Sequence, residues 1–354
     1  MRRIGYLTLF GAILLFTRLY NIENTTRFIW DESSDLVRLH QIYVDRKLTL
    51  VGPISEDNSK VFGSLAYYLS LPFAILGKFD PLSPVWGTTL GGIVTAAGLL
   101  MLVAKLNRGW AWWVGIIILF WFPILQSSRA GLWAWHVSYI PMWLTLGILL
   151  YLKRTKLSLL LAGLFLGLTV HHHYLTIFAV VGFTAGAVVD FIKSKEIGYI
   201  FLLCSGLALA VLPFVIFDVR HPPGLFLSKI LFSSPIETEK SLVSYGEKLI
   251  FLSSQMGDFF QLGALGILVV VLLMWDVFRF NQRLIWAGGW VAQLVGLLFI
   301  YNDGVSVHYL LPGAVFFLSM KQAMIRSWPR AVRRSAAGHG ALGDPQLAMG
   351  RSEF

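Results

Sequence analysis

RFIWDESSDLVRLHQIYVDRKLTLVGP, residues 27–53, follows directly on the first apolar run of the chain and governs how the rest is read. Its adjacent acids, Asp31 and Glu32, come after the apolar lead-in Phe28-Ile29-Trp30. Beyond them the pattern is helical. Asp31, Ser34, Asp35, Arg38, Gln41 and Asp45 fall on one side of a helical wheel, and Leu36, Leu39, Tyr43 and Val44 on the other, with Ile42 out of place. Such a helix suits a membrane surface. Asp31 stands at its start, where backbone N–H groups without intrahelical partners favour a negative charge. Two readings compete for the acid pair. It is a solvated loop feature, or a carboxylate partly buried by its aromatic lead-in and so made a better proton acceptor.

Outward from this stretch the chain is apolar almost throughout. Of 354 residues, 56% are hydrophobic and only 14% charged, with a mean hydropathy of +0.69. That is the composition of a polytopic membrane protein, not of a soluble enzyme. Apolar runs of roughly 17–22 residues recur, each long enough to cross about 30 Å of hydrocarbon. The net charge of +10 comes from short clusters between these runs, among them Arg2-Arg3, Lys153-Arg154-Lys156, Lys193-Lys195 and Arg330-Arg333-Arg334. This is the positive-inside pattern, and with no basic groove interleaved with aromatics it implies no nucleic-acid partner. The single cysteine, Cys204, lies in an apolar run, which excludes an intrachain disulfide and a thiolate metal site.

The first span reads as Ile4 to Tyr20, a retained signal anchor whose start Arg2 and Arg3 hold in the cytoplasm. The loop from 21 to 60 then carries seven of the nineteen acids: Glu23, Asp31, Glu32, Asp35, Asp45, Glu56 and Asp57. Residues 61–77 are apolar but short, with Pro72 inside. A full crossing there would place the Lys153–Lys156 and Lys193–Lys195 clusters outside. A re-entrant or surface-lying segment puts every later basic cluster in the cytoplasm, and the charge rule favours it. Further spans are expected at 85–104, 110–126, 132–152, 157–172, 174–191, 197–217, 258–278, 284–301 and 307–325. The expected architecture is an all-α polytopic membrane protein, a bundle of about 10–11 transmembrane helices with amphipathic surface helices in its first outer loop. Residues 1–325 form one transmembrane domain, 218–257 a second outer loop, and 326–354 a basic cytoplasmic tail that reads as disordered. The setting is a multi-pass protein of a prokaryotic inner membrane.

Under this topology the residues with chemistry gather on the outer face. His171-His172-His173 opens the span that continues Tyr174-Leu-Thr; on a helix three consecutive rings point three ways, so they do not share one metal ion. They are either an interfacial structural cluster or donors to an anionic group. Asp218-Val-Arg220-His221-Pro-Pro-Gly ends a span with two cations; Arg220 either grips phosphate oxygens or snorkels to water. Arg129 after Ser127-Ser128, and His308-Tyr309 at the last span's start, carry weaker versions of the same choice.

Together these residues resemble the GT-C superfamily of integral-membrane glycosyltransferases, most nearly the family-39 branch of protein O-mannosyltransferases and aminoarabinose transferases. The strings that carry the resemblance are TRLYNI (17–22), FIWDE (28–32), KLTLVGPIS (47–55), Ser128-Arg129, IFDVRHPPG (216–224) and VHYLLPG (307–313). They are spread over most of residues 1–325. The chain is short for that family, and Lys60-Val-Phe-Gly-Ser stands where an HPP-type opening is usual. What the resemblance implies is inverting transfer of a hexosyl or pentosyl group from a polyprenyl-phosphate carrier to a lipid, glycan or protein acceptor outside the cytoplasm. Asp31 would then be the catalytic base and Glu32 its neighbour in the motif. Arg220, His221, His173 and Arg129 would be the cations facing the departing phosphate, and His172, Tyr174, His308, Tyr309 and Lys60 further substrate contacts. No protein metal site is expected, and the need for a divalent cation stays open. A transporter or flippase for a lipid-linked or anionic solute, and a lipid-glycan polymerase or ligase, are the alternatives. Transporters bind near the midplane with repeated halves, of which the sequence gives no sign.

Overall fold

In hydrocarbon a chain must satisfy its own backbone hydrogen bonds, so the long apolar runs of this sequence have helices as their stable form. The structure is a computed structural model; it describes residues 8–9, 11–13, 15–16, 19–26, 30–54, 61–106, 135–222, 224–226, 247, 250, 284–296 and 315. The expected spans 110–126, 258–278 and, residue 315 apart, 307–325 lie outside the described residues.

After a single helical turn at Ile22–Thr25 comes α1 (Trp30–Asp45), then an antiparallel ribbon of β1 (Val51–Ile54) and β2 (Val61–Gly63). Helices α2 (Leu65–Leu76) and α3 (Ser83–Leu106) follow. A 3-10 turn, His136–Tyr139, leads straight into α4 (Ile140–Tyr151), followed by α5 (Lys156–His172), α6 (Thr176–Lys193), α7 (Ile197–Arg220) and α8 (Leu284–Val295). Within α3, α6 and α7 lie stretches long and apolar enough to cross a membrane, while 136–151 and α5 are shorter apolar helices. The chain is a helical, polytopic integral membrane protein. Expected and observed helices agree to within a few residues at α3, α5, α6 and α7. By contrast α2 has 12 residues, about 18 Å of helix, too short to reach across the hydrocarbon.

The helices α4 to α7, joined by short turns, alternate in direction, and the charges sort by end. Lys105 at the foot of α3 donates to the Leu152 carbonyl (3.1 Å) beyond α4. Beside it, in the α4–α5 turn, Arg154 reaches across to Asp190 and Glu196 at the far ends of α6 and its turn. Tyr151 donates to the same Asp190 (3.2 Å), and the Arg154 guanidinium lies over the Tyr151 and Phe191 rings. Thr155 then starts α5 with a reciprocal capping box to Ser158. The described basic clusters Lys153–Lys156 and Lys193–Lys195 share this end, whereas Glu32, His136, His171–His173 and Arg220 belong to the opposite one. The segregation anticipated from loop charges is thus present in the packed helices.

One surface is turned from its expected orientation. The wheel put Tyr43 and Val44 with Leu36 and Leu39 on the apolar, membrane-facing side of α1 and left Ile42 out of place. Instead Leu39 and Ile42 are buried against Tyr67 and Ala74 of α2, and Tyr43 and Val44 are exposed. Glu32 joins the buried side at 1% exposure. The reason is that α1 packs on α2 rather than lying alone on lipid, and apolar residues on its flank need no protein cover at a membrane.

Two glycine crossings hold the bundle. Where α5 meets α7, a Cβ at Gly163 would run into the Leu203 carbonyl and one at Gly206 into the Leu160 carbonyl. Where α6 meets α8, Gly182 and Gly288 face each other's backbone in the same way. Close backbone approach through small residues is how helices gain contact in lipid, where burial against neighbours has little hydrophobic advantage. Gly163→Val and Gly206→Val are each expected to destabilise the protein by about 1–3 kcal/mol through overpacking. Gly198→Ala, at a position with nothing within 4 Å, should leave stability unchanged or slightly raised. Thermal unfolding in detergent checks both.

Candidate functional site

The first turn of α1 carries both acids of the motif. The side chain of Asp31 lies outside the described residues, as do Lys60, Arg129, His308 and Tyr309. Glu32 points into the protein. It lines a small cavity together with Asp35, Tyr67, Ser70 and His136, closed on its apolar side by Leu39 and Ala66. The space amounts to about 10 Å³, the size of a single water molecule. Its polar walls are internally tied. The Tyr67 hydroxyl donates to Asp35 Oδ1 at 2.9 Å. Burial, reinforced by the neighbouring Asp35 charge, raises the Tyr67 pKa and keeps it a donor. Ser70 Oγ and the Tyr139 hydroxyl are 3.0 Å apart.

His136 is the residue that sequence reasoning missed. It starts the 3-10 turn before α4 and is buried, with its ring 4.7 Å from that of Phe62 and edge-on to Trp135. The signal for it was faint: a lone histidine in the aromatic run Trp133-Ala-Trp135-His136-Val-Ser-Tyr139, just where an apolar run begins. An ionisable residue at a span's mouth is a functional hint that three consecutive histidines elsewhere had drawn away.

Those three histidines end α5, and each ring takes a different neighbour. His171 Nε2 sits 2.7 Å from the Ala210 carbonyl of α7 and its ring packs on Phe214. His172, fully buried, accepts a hydrogen bond at Nε2 from Trp143 Nε1 on α4 (2.9 Å). An accepting Nε2 places the ring's proton on Nδ1. His173 leaves the helix with extended backbone, and its Nδ1 accepts from Leu175 N–H (3.3 Å). Nε2 is then the nitrogen that carries a proton in the neutral ring. Among the described residues no three metal-ligating side chains converge, which follows for this row from its three directions.

Ribbon strand β2 ties the two groups of residues together. Phe62 stacks near His136, His173 (5.1 Å) and Tyr174 (5.8 Å), so one ring touches both sides of the site. The next residue must be glycine here, because a Cβ at Gly63 would strike His171 and Phe214. At the end of α7, Asp218 accepts from the Leu225 and Phe226 N–H groups and folds the chain back, packing Phe226 on Phe214 and Phe217. Arg220 and His221 emerge exposed at this corner, His221 stacked on Phe217. Neither lines the Glu32 cavity. Both belong to the same end of the bundle, on the side where Phe214 meets the histidine row.

The fold is similar to that of the crystal structure of ArnT from Cupriavidus metallidurans bound to undecaprenyl phosphate, with a TM-score of 0.62 over 95% of this chain. Identity is 13%, so the likeness is one of fold. The match covers 64% of that chain, just under two thirds of its length. No family model and no curated protein sequence matches this chain.

Replacing Trp143 by Phe keeps an aromatic ring, of smaller size, but leaves the buried His172 Nε2 without its donor. The loss should be about 1–3 kcal/mol, the cost of a buried acceptor left unsatisfied, read as a lower midpoint of thermal unfolding in detergent.

Proposed function

We propose that this protein transfers a sugar from a polyprenyl-phosphate carrier to an acceptor hydroxyl, with inversion, at the histidine end of the bundle, and that this end faces away from the cytoplasm. The observation that carries the reading is the placement of the acid-bearing first turn of α1. It is packed into the mouth of a membrane bundle, against buried imidazoles, on a fold shared with a protein solved with undecaprenyl phosphate bound. Among the described residues the buried ionisable side chains, Glu32, His136, His171, His172 and His173, gather at one end of the bundle, which favours interfacial chemistry over transport at mid-depth.

In this mechanism Asp31 is the general base. It takes the proton of the acceptor hydroxyl as that oxygen attacks the anomeric carbon from the face opposite the phosphate. The bond from that carbon to the phosphate oxygen breaks, and both its electrons leave with the phosphate. A phosphate monoester is a good leaving group, so no strong general acid is required. Positive charge and N–H donors must meet the charge that develops on it. His173, through its Nε2, and Arg220 and His221 at the neighbouring corner are the described residues suited to that task; Arg129 is a further candidate from the sequence. The lipid tail would lie against the apolar flanks of the helices, which accounts for chemistry of this kind being housed in a membrane protein. A hexose or pentose donor, and a lipid, glycan or protein acceptor, are compatible with this scheme.

Asp31→Asn keeps the shape of the side chain and removes the base. In membranes supplied with labelled polyprenyl-phosphate sugar, its transfer rate should fall by about 10²–10⁴-fold, with the KM for the lipid donor little changed. Transfer at the wild-type rate would remove Asp31 from the mechanism.

A further inference from the structure

Helix α1 is fastened to α2 in two different ways. Toward its end the contact is apolar: Leu39 and Ile42 are buried with Tyr67 and Ala74. Phe79, just past α2, adds its ring edge-on to His40 at 4.9 Å and lies 5.4 Å from Tyr43. The turn that delivers Phe79 has left-handed backbone at two consecutive residues, Lys78 (φ 53°) and Phe79 (φ 61°), neither of them glycine. Bulky residues adopt that conformation at a cost, and only where their surroundings hold them in it. Toward the start of α1 the contact is polar. The Tyr67 hydroxyl donates to Asp35 Oδ1 across 2.9 Å. Asp35 stands one turn beyond Asp31, and in an α-helix its N–H bonds the Asp31 carbonyl. On the other side of α2 the next turn is fixed as well. Ser70 Oγ lies 3.0 Å from the buried Tyr139 hydroxyl, against which Gly87 of α3 is tightly packed. A line of ties thus runs from the bundle through α2 to the turn that bears Asp31.

We propose that Tyr67 is a positioning residue of the site: by donating to Asp35 it fixes the turn of α1 that carries Asp31. This rests on the reading of Asp31 as the base. Asp35, although it is an acid on the same helix, does not then act as a second base. Its work is to offer an oxygen to Tyr67. The tyrosine takes part twice, its ring in the apolar cluster and its hydroxyl in the polar tie. The cluster holds the length of α1 against α2, while the hydroxyl sets where its first turns come to rest. Removing the hydroxyl alone separates the two effects, because phenylalanine keeps the ring that packs on Leu39 and Ile42.

A double-mutant cycle with Tyr67→Phe and Asp35→Ala, in the full-length protein, tests the tie through two readouts. The first is sugar transfer from labelled polyprenyl-phosphate sugar in membranes. Each single variant should lower kcat by about 10–100-fold, as for residues that aim a reacting group. The KM for the donor should stay within about twofold of wild type, and the double variant should be no slower than the worse single. Asp35→Asn keeps an acceptor oxygen for Tyr67 and should transfer within about threefold of wild type. The second readout, thermal unfolding in detergent, is independent of catalysis: the losses of the singles should again fail to add. Additive losses in unfolding would overturn the tie, whatever Asp31 does. Coupled unfolding with kcat unchanged in both singles would overturn the positioning role. Asp35→Asn as slow as Asp35→Ala would show that the charge of Asp35 is what transfer uses, and raised KM at constant kcat would assign the pair to donor binding; either result overturns the role likewise. Transfer by Asp31→Asn at the wild-type rate would remove the base, and the role with it, while the unfolding cycle still decides the tie by itself. If Asp35→Ala does not accumulate in membranes, Asp35→Leu completes the same cycle.

Discussion

The closeness of α5 to α7 is the constraint on which the rest of this molecule depends. Their backbones meet at Gly163 and Gly206, with no room for a side chain between. That contact sets where α5 ends, and α5 ends in the histidine row. From there His171 binds the Ala210 carbonyl of α7, His172 takes the indole N–H of α4, and His173 turns back toward β2. A bulkier residue at the crossing would not only loosen two helices. It would displace the floor on which the ribbon and the first turn of α1 are seated.

Upon that floor the site is assembled from short pieces that are not themselves membrane-spanning. The ribbon inserts Phe62 between imidazoles, α2 offers Tyr67 and Ser70, and α1 turns Glu32 inward. Several polar groups in this region are met by one from another part of the chain: Tyr67 by Asp35, Ser70 by Tyr139, Asp218 by the N–H groups of Leu225 and Phe226. Tying together groups remote in sequence makes a rigid mouth from segments too short to be rigid alone. The role proposed for Asp31 would need such a setting, since small displacements at a reacting centre are expensive in rate.

Much of this was legible in the residues, for identifiable reasons. Spans announced themselves because a run of apolar residues as long as α7 has no other stable form in lipid, and the basic turns sorted as their charges required. The Asp31-Glu32 pair stood out because acids rarely follow Phe-Ile-Trp in a solvated loop. The facing of α1 was less legible. Hydrophobicity names a packed side only when the alternative is water; at a membrane, Val44 and Tyr43 are as comfortable outward as Leu39 and Ile42 are inward. The fold likeness to ArnT stands at 13% identity, where no family model and no curated protein sequence matches. His136 escaped because its local string marks it only faintly. Only the three-dimensional packing brings it to one cavity with Glu32, which stands far earlier in the chain.

The far end of the bundle has its own consequence, one for biogenesis. Arg154 stands in the turn between α4 and α5, but its partners Asp190 and Glu196 come 36 and 42 residues later. As the chain leaves the ribosome, the first helical hairpin is inserted with Arg154 still carrying an uncompensated charge, available to hold that turn on its side of the bilayer. Only when the second hairpin arrives can the guanidinium be claimed by its acids. The same residue thus acts first as an address and then as a clasp, so that the two hairpins are locked together after their orientation is decided and not before.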